Sequence, residues 1–151
     1  MFLSIITPTF NSQKYLAKCL NSVFDQNFEN YEQLIIDNFS SDRTISIAKK
    51  IGNSRIKIVS EIDNGIYDAM NKGINYSNGQ YLLFLNSDDE IIDKNFLTNT
   101  YNILKNKEID ILYSNIEYEK NKFQIIRKYI SGNEENLNKF GHHLPHPGTI
   151  I

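Results

Sequence analysis

Short apolar runs alternate along this chain with longer stretches in which apolar residues return every three or four positions. The first pattern predicts buried strands and the second predicts amphipathic helices. Residues 3–7 read as a first strand, ended by Pro8. A helix capped by Asn11 or Ser12 follows to about residue 26, with Leu16, Cys19, Leu20, Val23 and Phe24 at helical spacing. A second strand covers residues 33–36 and stops at Asp37. The polar stretch 38–42 reads as a turn. A helix through Ile45, Ile47, Ala48 and Ile51 comes next, then a strand at 56–59 and a short helix at 66–74. After the turn signal Asn78-Gly79, the run Tyr81-Leu82-Leu83-Phe84-Leu85 reads as a fourth strand. It ends abruptly at Asn86-Ser87-Asp88-Asp89. A helix over 94–104, a strand at 109–113 and an antiparallel hairpin over 118–129 complete the predicted elements, and residues 132–151 are less regular.

Strands that alternate with helices predict an α/β fold: a mainly parallel sheet with helices on both faces. No repeat or interdomain linker breaks the pattern, so residues 1–151 are expected to form a single domain. In such a sheet all strands point the same way. The loops 8–11, 37–42, 61–65 and 86–89 each follow a strand and therefore line one edge, where open α/β sheets bind ligands. Three of the four carry carboxylates.

Composition narrows the function. The chain has 151 residues, 40% of them apolar and 23% charged, which suits one globular domain with a real core. A net charge of -2 gives no basic footprint, so nucleic acid is not expected as a partner. Cys19 is the only cysteine; it reads as a packed thiol and fits a reducing, cytoplasmic setting. The start of the chain lacks the basic residues of a signal peptide. No apolar stretch approaches the roughly 20 residues of a membrane span.

Adjacent carboxylates at Asp88 and Asp89 repel each other unless a cation or several donors offset the repulsion. Hard divalent cations such as Mg²⁺ or Mn²⁺ take one or two carboxylates and complete their shell with phosphate and water. Capping of a following helix accounts for the pair equally well. Asp37 stands at a strand end, where it can accept an N–H from a nucleobase or form an Asx-turn. Ser41 or Asp42 is expected to cap the next helix. Asp68 and Lys72 lie at i and i+4 on one helix face. They form a structural ion pair by default; in a functional reading Lys72 reaches a phosphate and Asp68 a sugar hydroxyl. The phosphate-binding glycine motifs GxGxxG and GxxxxGK[ST] are absent, as is the GxSxG elbow. His142, His143 and His146 cluster, but Pro145 and Pro147 preclude an HExxH helix, and one cysteine makes a structural zinc site implausible. One of these histidines completes a metal shell or touches substrate, or all are hydrogen-bonded loop residues.

Five segments in order resemble glycosyltransferase family 2, with its nucleotide-binding, Rossmann-like GT-A fold. They are Ser4-Ile5-Ile6-Thr7-Pro8-Thr9-Phe10-Asn11; Tyr15-Leu16 through Gln26; Glu32-Gln33-Leu34-Ile35-Ile36-Asp37-Asn38-Phe39-Ser40-Ser41-Asp42-Arg43-Thr44; Asp63-Asn64-Gly65-Ile66-Tyr67-Asp68-Ala69-Met70-Asn71-Lys72-Gly73-Ile74; and Asn78-Gly79-Gln80-Tyr81 through Asp89. The fourth is similar to a branch associated with bacterial surface polysaccharides. The resemblance implies inverting transfer of a sugar from a nucleotide-sugar donor, commonly a UDP-sugar, to a saccharide or lipid-linked acceptor. It implies that Thr7, Pro8, Phe10, Asn11, Asp37, Asn38, Asp68, Lys72, Asn86 and Ser87 line the donor site. Asp88 and Asp89 would hold Mn²⁺ or Mg²⁺, with His146 as a further ligand, and the domain would work in the cytoplasm, at or near the inner face of the plasma membrane.

Two departures from the family pattern bear on activity. The usual first Asp of its DXD motif is Asn86 here. The family's general base, an Asp or Glu, follows a segment resembling His142 to Thr149 and so falls beyond Ile151, since nothing around Glu134 or Glu135 resembles it. The chain is therefore expected to be a C-terminally incomplete domain, and a nucleotide-sugar-binding module without turnover is the alternative reading. Apolar residues at the end, Ile150 and Ile151, are expected to be exposed and to favour a homodimer.

Overall fold

A computed structural model describes residues 1–121, 124–129 and 148–151. Its elements run β1 (Leu3–Thr9), α1 (Leu16–Phe24), β2 (Tyr31–Asp37), α2 (Thr44–Ile51), β3 (Ile56–Ser60), α3 (Ile66–Tyr76), β4 (Tyr81–Phe84), α4 (Phe96–Leu104), β5 (Leu112–Tyr113), β6 (Ile116–Asn121), β7 (Gln124–Tyr129) and β8 (Thr149–Ile150). The main sheet has the order β3-β2-β1-β4-β8-β5, and β6 pairs with β7 in a separate hairpin. β1 runs parallel to β2 and β4, and β2 parallel to β3; β8 is antiparallel to both β4 and β5.

The alternation of side chains along β1 and β2 explains the two-faced packing. Leu3, Ile5 and Tyr31 join Cys19 and Val23 of α1 and Leu97 and Leu104 of α4 in the largest apolar cluster. Ile35 lies with Leu16, Leu20 and Ala48, under α1 and α2. On the opposite face Ile6, Leu34 and Ile36 pack against Ala69 of α3. Helices thus cover both faces, as the pattern predicts.

β1 does not stop at Pro8; it pairs with β2 through Thr9. Backbone groups alternate sides along a strand, so Pro8 turns its donor-less nitrogen toward β4. Pairing with β4 ends at Ile6–Phe84, so no ladder bond is lost. Neither Asn11 nor Ser12 caps α1 through a side chain. The Ser12 carbonyl accepts from the N–H groups of Tyr15 and Leu16, while its hydroxyl is drawn away to Ser87. The hairpin begins at Ile116, two residues before its expected start.

Ile150 is not exposed. It is 1% accessible, inserted between β4 and β5, and part of the largest apolar cluster. The backbone of Ile151 exchanges two hydrogen bonds with Leu82. Ile150 therefore fills the space between β4 and β5 and gives no reason for self-association, while Ile151 is exposed as expected.

Candidate functional site

The loops after β3, β2, β1 and β4 stand side by side at the carboxyl edge of the sheet, in strand order. Neighbouring strands are about 4.8 Å apart, so β2 and β4, with β1 between them, place their loops about 10 Å apart. That distance suits an extended, two-ended ligand.

The β1 and β2 loops are stitched together reciprocally. Asn11 N donates to Ser40 Oγ at 2.8 Å, and Asn11 Oδ1 accepts from Ser41 N at 3.0 Å. Ser12 N donates to Thr44 Oγ1 at 2.7 Å and Gln13 N to Asp42 Oδ2 at 3.1 Å. Asp42 Oδ1 also accepts from Thr44 N at 2.9 Å, so Asp42 serves the start of α2 as expected. Removal from water alone would raise its carboxyl, but the bonds it accepts from Thr44 and Gln13 together hold it below the usual range. Asn11 and Phe39 take left-handed backbone conformations, with φ of 49° and 44°. For phenylalanine this is strained and needs the surrounding bonds to hold it. Phe10 and Phe39 are both left about 60% exposed at the mouth. Phe39 was not anticipated as a site residue; its signal is a bulky aromatic inside a run of turn-forming residues.

Asp37 is fully buried. Its carboxylate accepts from Thr9 Oγ1 (3.2 Å), Ser40 Oγ (2.5 Å), Ser40 N (3.0 Å) and Ser60 Oγ (2.7 Å). These four donors occupy roughly all the acceptor sites a carboxylate has. Asp37 therefore ties three strand ends together, and its bond from Ser40 N makes an Asx-type turn. Asn38, half-buried beside it, pairs its amide with the backbone of Asp63 at 3.0 and 3.5 Å. Thr7 lies deeper, with its hydroxyl accepting from Gln33 Nε2 at 3.1 Å.

Asp68 and Lys72 come together at 3.7 Å. Lys72 Nζ also donates to the Ile62 carbonyl and lies 3.6 Å from Glu61. Asp68 Oδ2 accepts from Asn64 N at 2.9 Å. The pair thereby braces the loop between β3 and α3.

At the β4 loop, Ser87 Oγ meets Ser12 Oγ at 2.8 Å. Asn86 Nδ2 donates to Asp89 Oδ2 at 3.0 Å, while Asn86 Oδ1 is buried without a hydrogen-bond partner among the described residues. Burial first, and the neighbouring Asp88 second, raise the Asp89 carboxyl above its ordinary value; bonds from Asn86 oppose the rise. Asp88 is exposed. The edge thus holds a polar, hydrogen-bonded region over β2 and β3 and a crowded acidic pair over β4. His142, His143, His146, Glu134 and Glu135 lie outside the described residues. Among the described residues no cluster of three metal-ligating side chains forms.

The family model described as Glycosyl transferase family 2 matches residues 4–149. The chain is 32% identical over 138 residues to the UDP-Glc:alpha-D-GlcNAc-diphosphoundecaprenol beta-1,3-glucosyltransferase WfgD of Escherichia coli, covering 91% of this chain and 54% of that protein. It superposes on S. aureus TarS 1-349 in complex with UDP-GlcNAc with a TM-score of 0.71 and 30% identity, over 75% of this chain and 34% of that one. The mannosyltransferase PcManGT from Pyrobaculum calidifontis, in complex with GDP-Man and Mn²⁺, shares the fold at a TM-score of 0.68 and 18% identity, over 74% of this chain and 34% of that one. The chain spans about half the length of the curated relatives it matches.

Proposed function

The chain belongs to glycosyltransferase family 2 and has the mostly parallel GT-A sheet, and from that premise we propose that it binds a UDP-sugar along the β3-β2-β1-β4 edge. The reaction it serves is inverting transfer of that sugar to a saccharide or lipid-linked acceptor in polysaccharide synthesis. The observation that carries this reading is the joined row of loops, with a base-sized polar end over β2 and an acidic pair over β4. UDP and UDP-sugar complexes of a 30–31% identical neighbour support the choice of nucleotide.

The division of labour follows from the hydrogen bonds. Asp37 already has its acceptor sites filled, so it acts as the organiser of the base end. Spare donor and acceptor capacity lies with Asn38, which keeps one amide hydrogen and one lone pair after pairing with Asp63. Phe10 and Asn11, following Pro8, form the floor under the nucleoside, and Phe39 offers an exposed ring for stacking. Asp68 and Lys72 hold the 61–65 loop against this end.

At the other end the residues fit a divalent cation. Two adjacent carboxylates repel, one of them has its proton affinity raised, and a buried amide oxygen of Asn86 lacks a partner among the described residues. This is the donor set that Mg²⁺ or Mn²⁺ accepts alongside diphosphate oxygens. Asp88 would hold the ion, with Asp89 beside it, and the bound ion would offset charge growing on the departing diphosphate. Asn86 orients Asp89 through its amide N–H, a bond that the family's usual Asp could not donate. Inverting transfer also needs a proton acceptor for the incoming hydroxyl, a role distinct from those of the donor-site residues named here.

Calorimetry with UDP, with and without Mn²⁺, tests the assignment. Binding strengthened by Mn²⁺ and reduced to the metal-free level by Asp88→Ala is the expected result. No UDP binding in either condition, together with an unaltered Asp88→Ala variant, would sink the donor-site reading.

A further inference from the structure

Between β4 and α4, residues 85–95 contain no helix or strand, yet this stretch carries Asp88 and Asp89. Its backbone bonds go largely to α1 and the residues that flank it. Cys19 and Ser22, at i and i+3, share one face of α1, and Gln26 follows two residues beyond the end of that helix. Cys19 Sγ donates to the Asn86 carbonyl at 3.4 Å. Burial first and the nearby Asp89 second push that thiol up, which keeps its proton in place for this bond. Ser22 Oγ accepts from Ile91 N at 3.0 Å and donates to the Cys19 carbonyl at 2.7 Å. Gln26, which is buried, donates from Nε2 to the Asp93 carbonyl at 3.0 Å and accepts at Oε1 from Leu97 N at 3.2 Å. That last bond satisfies one of the orphan N–H groups at the start of α4. Asn27 continues the line with N–H to the Lys94 carbonyl at 3.0 Å.

The acidic pair is thus suspended between two anchors on one helix, at Asn86 and at Ile91. α1 behaves as a rigid rail that replaces the secondary structure the loop lacks. We infer that Ser22 and Gln26 are positioning residues for the Asp88–Asp89 pair, fixing the carboxylates at the spacing that a cation and a diphosphate require. The inference rests on the donor-site reading above. Neither side chain touches the ligand; each acts through the loop backbone, and outer partners of this kind set metal affinity.

The test compares wild type, Ser22→Ala, Ser22→Thr and Gln26→Leu by calorimetry with UDP alone and with Mn²⁺ titrated into the UDP complex. Amide exchange at Ile91 and Leu97 is read in parallel. Ser22→Ala and Gln26→Leu are expected to weaken Mn²⁺ binding by about tenfold or more while leaving UDP alone within about twofold, with Ser22→Thr restoring most of the loss. The amide of Ile91 should exchange faster in Ser22→Ala, and that of Leu97 in Gln26→Leu. Leu104→Val, a core change away from the rail, should lower thermal stability without altering Mn²⁺ affinity. If Gln26→Leu fails to fold, the two Ser22 variants still decide the matter. Unchanged Mn²⁺ affinity in a folded Ser22→Ala protein, or an equal loss in Leu104→Val, overturns the inference. Failure of the wild type to bind UDP with Mn²⁺ overturns the donor-site reading instead, and the inference falls with it.

Discussion

Replacing Gly73 with alanine sets two opposing effects against each other, and the structure decides which wins. Gly73 lies on α3 where the helix crosses β1. A Cβ at this position would sit 3.2 Å from Cγ1 and 3.3 Å from Cβ of Ile6, and closer still to its Cγ2. Carbon atoms pack comfortably at about 3.5–4.0 Å. Ile6 cannot swing aside, because it is fully buried in an inner strand and β-branching leaves its χ1 little choice. The helix must therefore lift, loosening Ala69 from Leu34 and Ile36. Overpacking of this kind costs about 1–3 kcal/mol. Alanine returns about 1 kcal/mol through its better helix propensity. With the clash near the top of its range, the net loss is about 1–2 kcal/mol, or roughly 3–6 °C in Tm for a chain of this size. Thermal unfolding followed by circular dichroism measures it. Asn71→Ala, two residues earlier on the exposed face, is the control; it makes no such contact and should raise Tm by about 1–2 °C. A Gly73→Ala protein as stable as wild type would refute the account, because propensity would then have outweighed packing.

Glu32 supplies a pH-dependent contribution at the other end of the sheet. Burial alone would raise its carboxyl, but bonds from Ser4 Oγ and from Asn78, helped by Lys57, lower it below the ordinary 4.5. Its stabilisation is present above that ordinary value and lost as pH falls through the lowered folded value. In urea titrations the stability difference between wild type and Glu32→Gln should be full at neutral pH and shrink below about pH 4; a difference independent of pH would count against this. Gly79→Ala would place a Cβ 2.7 Å from the Leu3 carbonyl carbon, against backbone that cannot move freely. Its Tm should fall further than that of Gly73→Ala, and differential scanning fluorimetry of the two variants checks the order. Thr9→Val removes one donor from the buried Asp37 carboxylate and should cost about 1.5–3 kcal/mol in urea unfolding, with weaker UDP binding alongside. Equal stability would mean that Asp37 does not depend on its hydroxyl partners.

Much of this molecule was legible along the chain because its signals are local. Buried strands betray themselves as short apolar runs, and α1 and α3 as apolar residues at helical spacing. The four loops fall on one edge as a direct consequence of parallel strand order, so their placement followed from topology. Pro8 misled because its effect depends on which neighbour its nitrogen faces, a property of the assembled sheet. Ile150 misled for the same kind of reason: an apolar residue so placed reads as exposed until its partner strands, here β4 and β5, are seen beside it.

The sequence by itself determined the periodicities, the strand-loop-helix order and the residue types available at each loop, since these depend only on neighbours in the chain. Only the tertiary structure decided how each group is used. For Asp37 the chain left a base contact and a turn side by side, and the fold alone brought three hydroxyls and an N–H, drawn from β1, the turn after β2 and the end of β3, onto its carboxylate. Cys19, Ser22 and Gln26 read as ordinary helix positions until the loop carrying Asp88 and Asp89, more than sixty residues away, was found to hang from them. Hydrogen bonds of that reach are invisible to local pattern, because folding, and not sequence proximity, brings donor and acceptor within 3.5 Å.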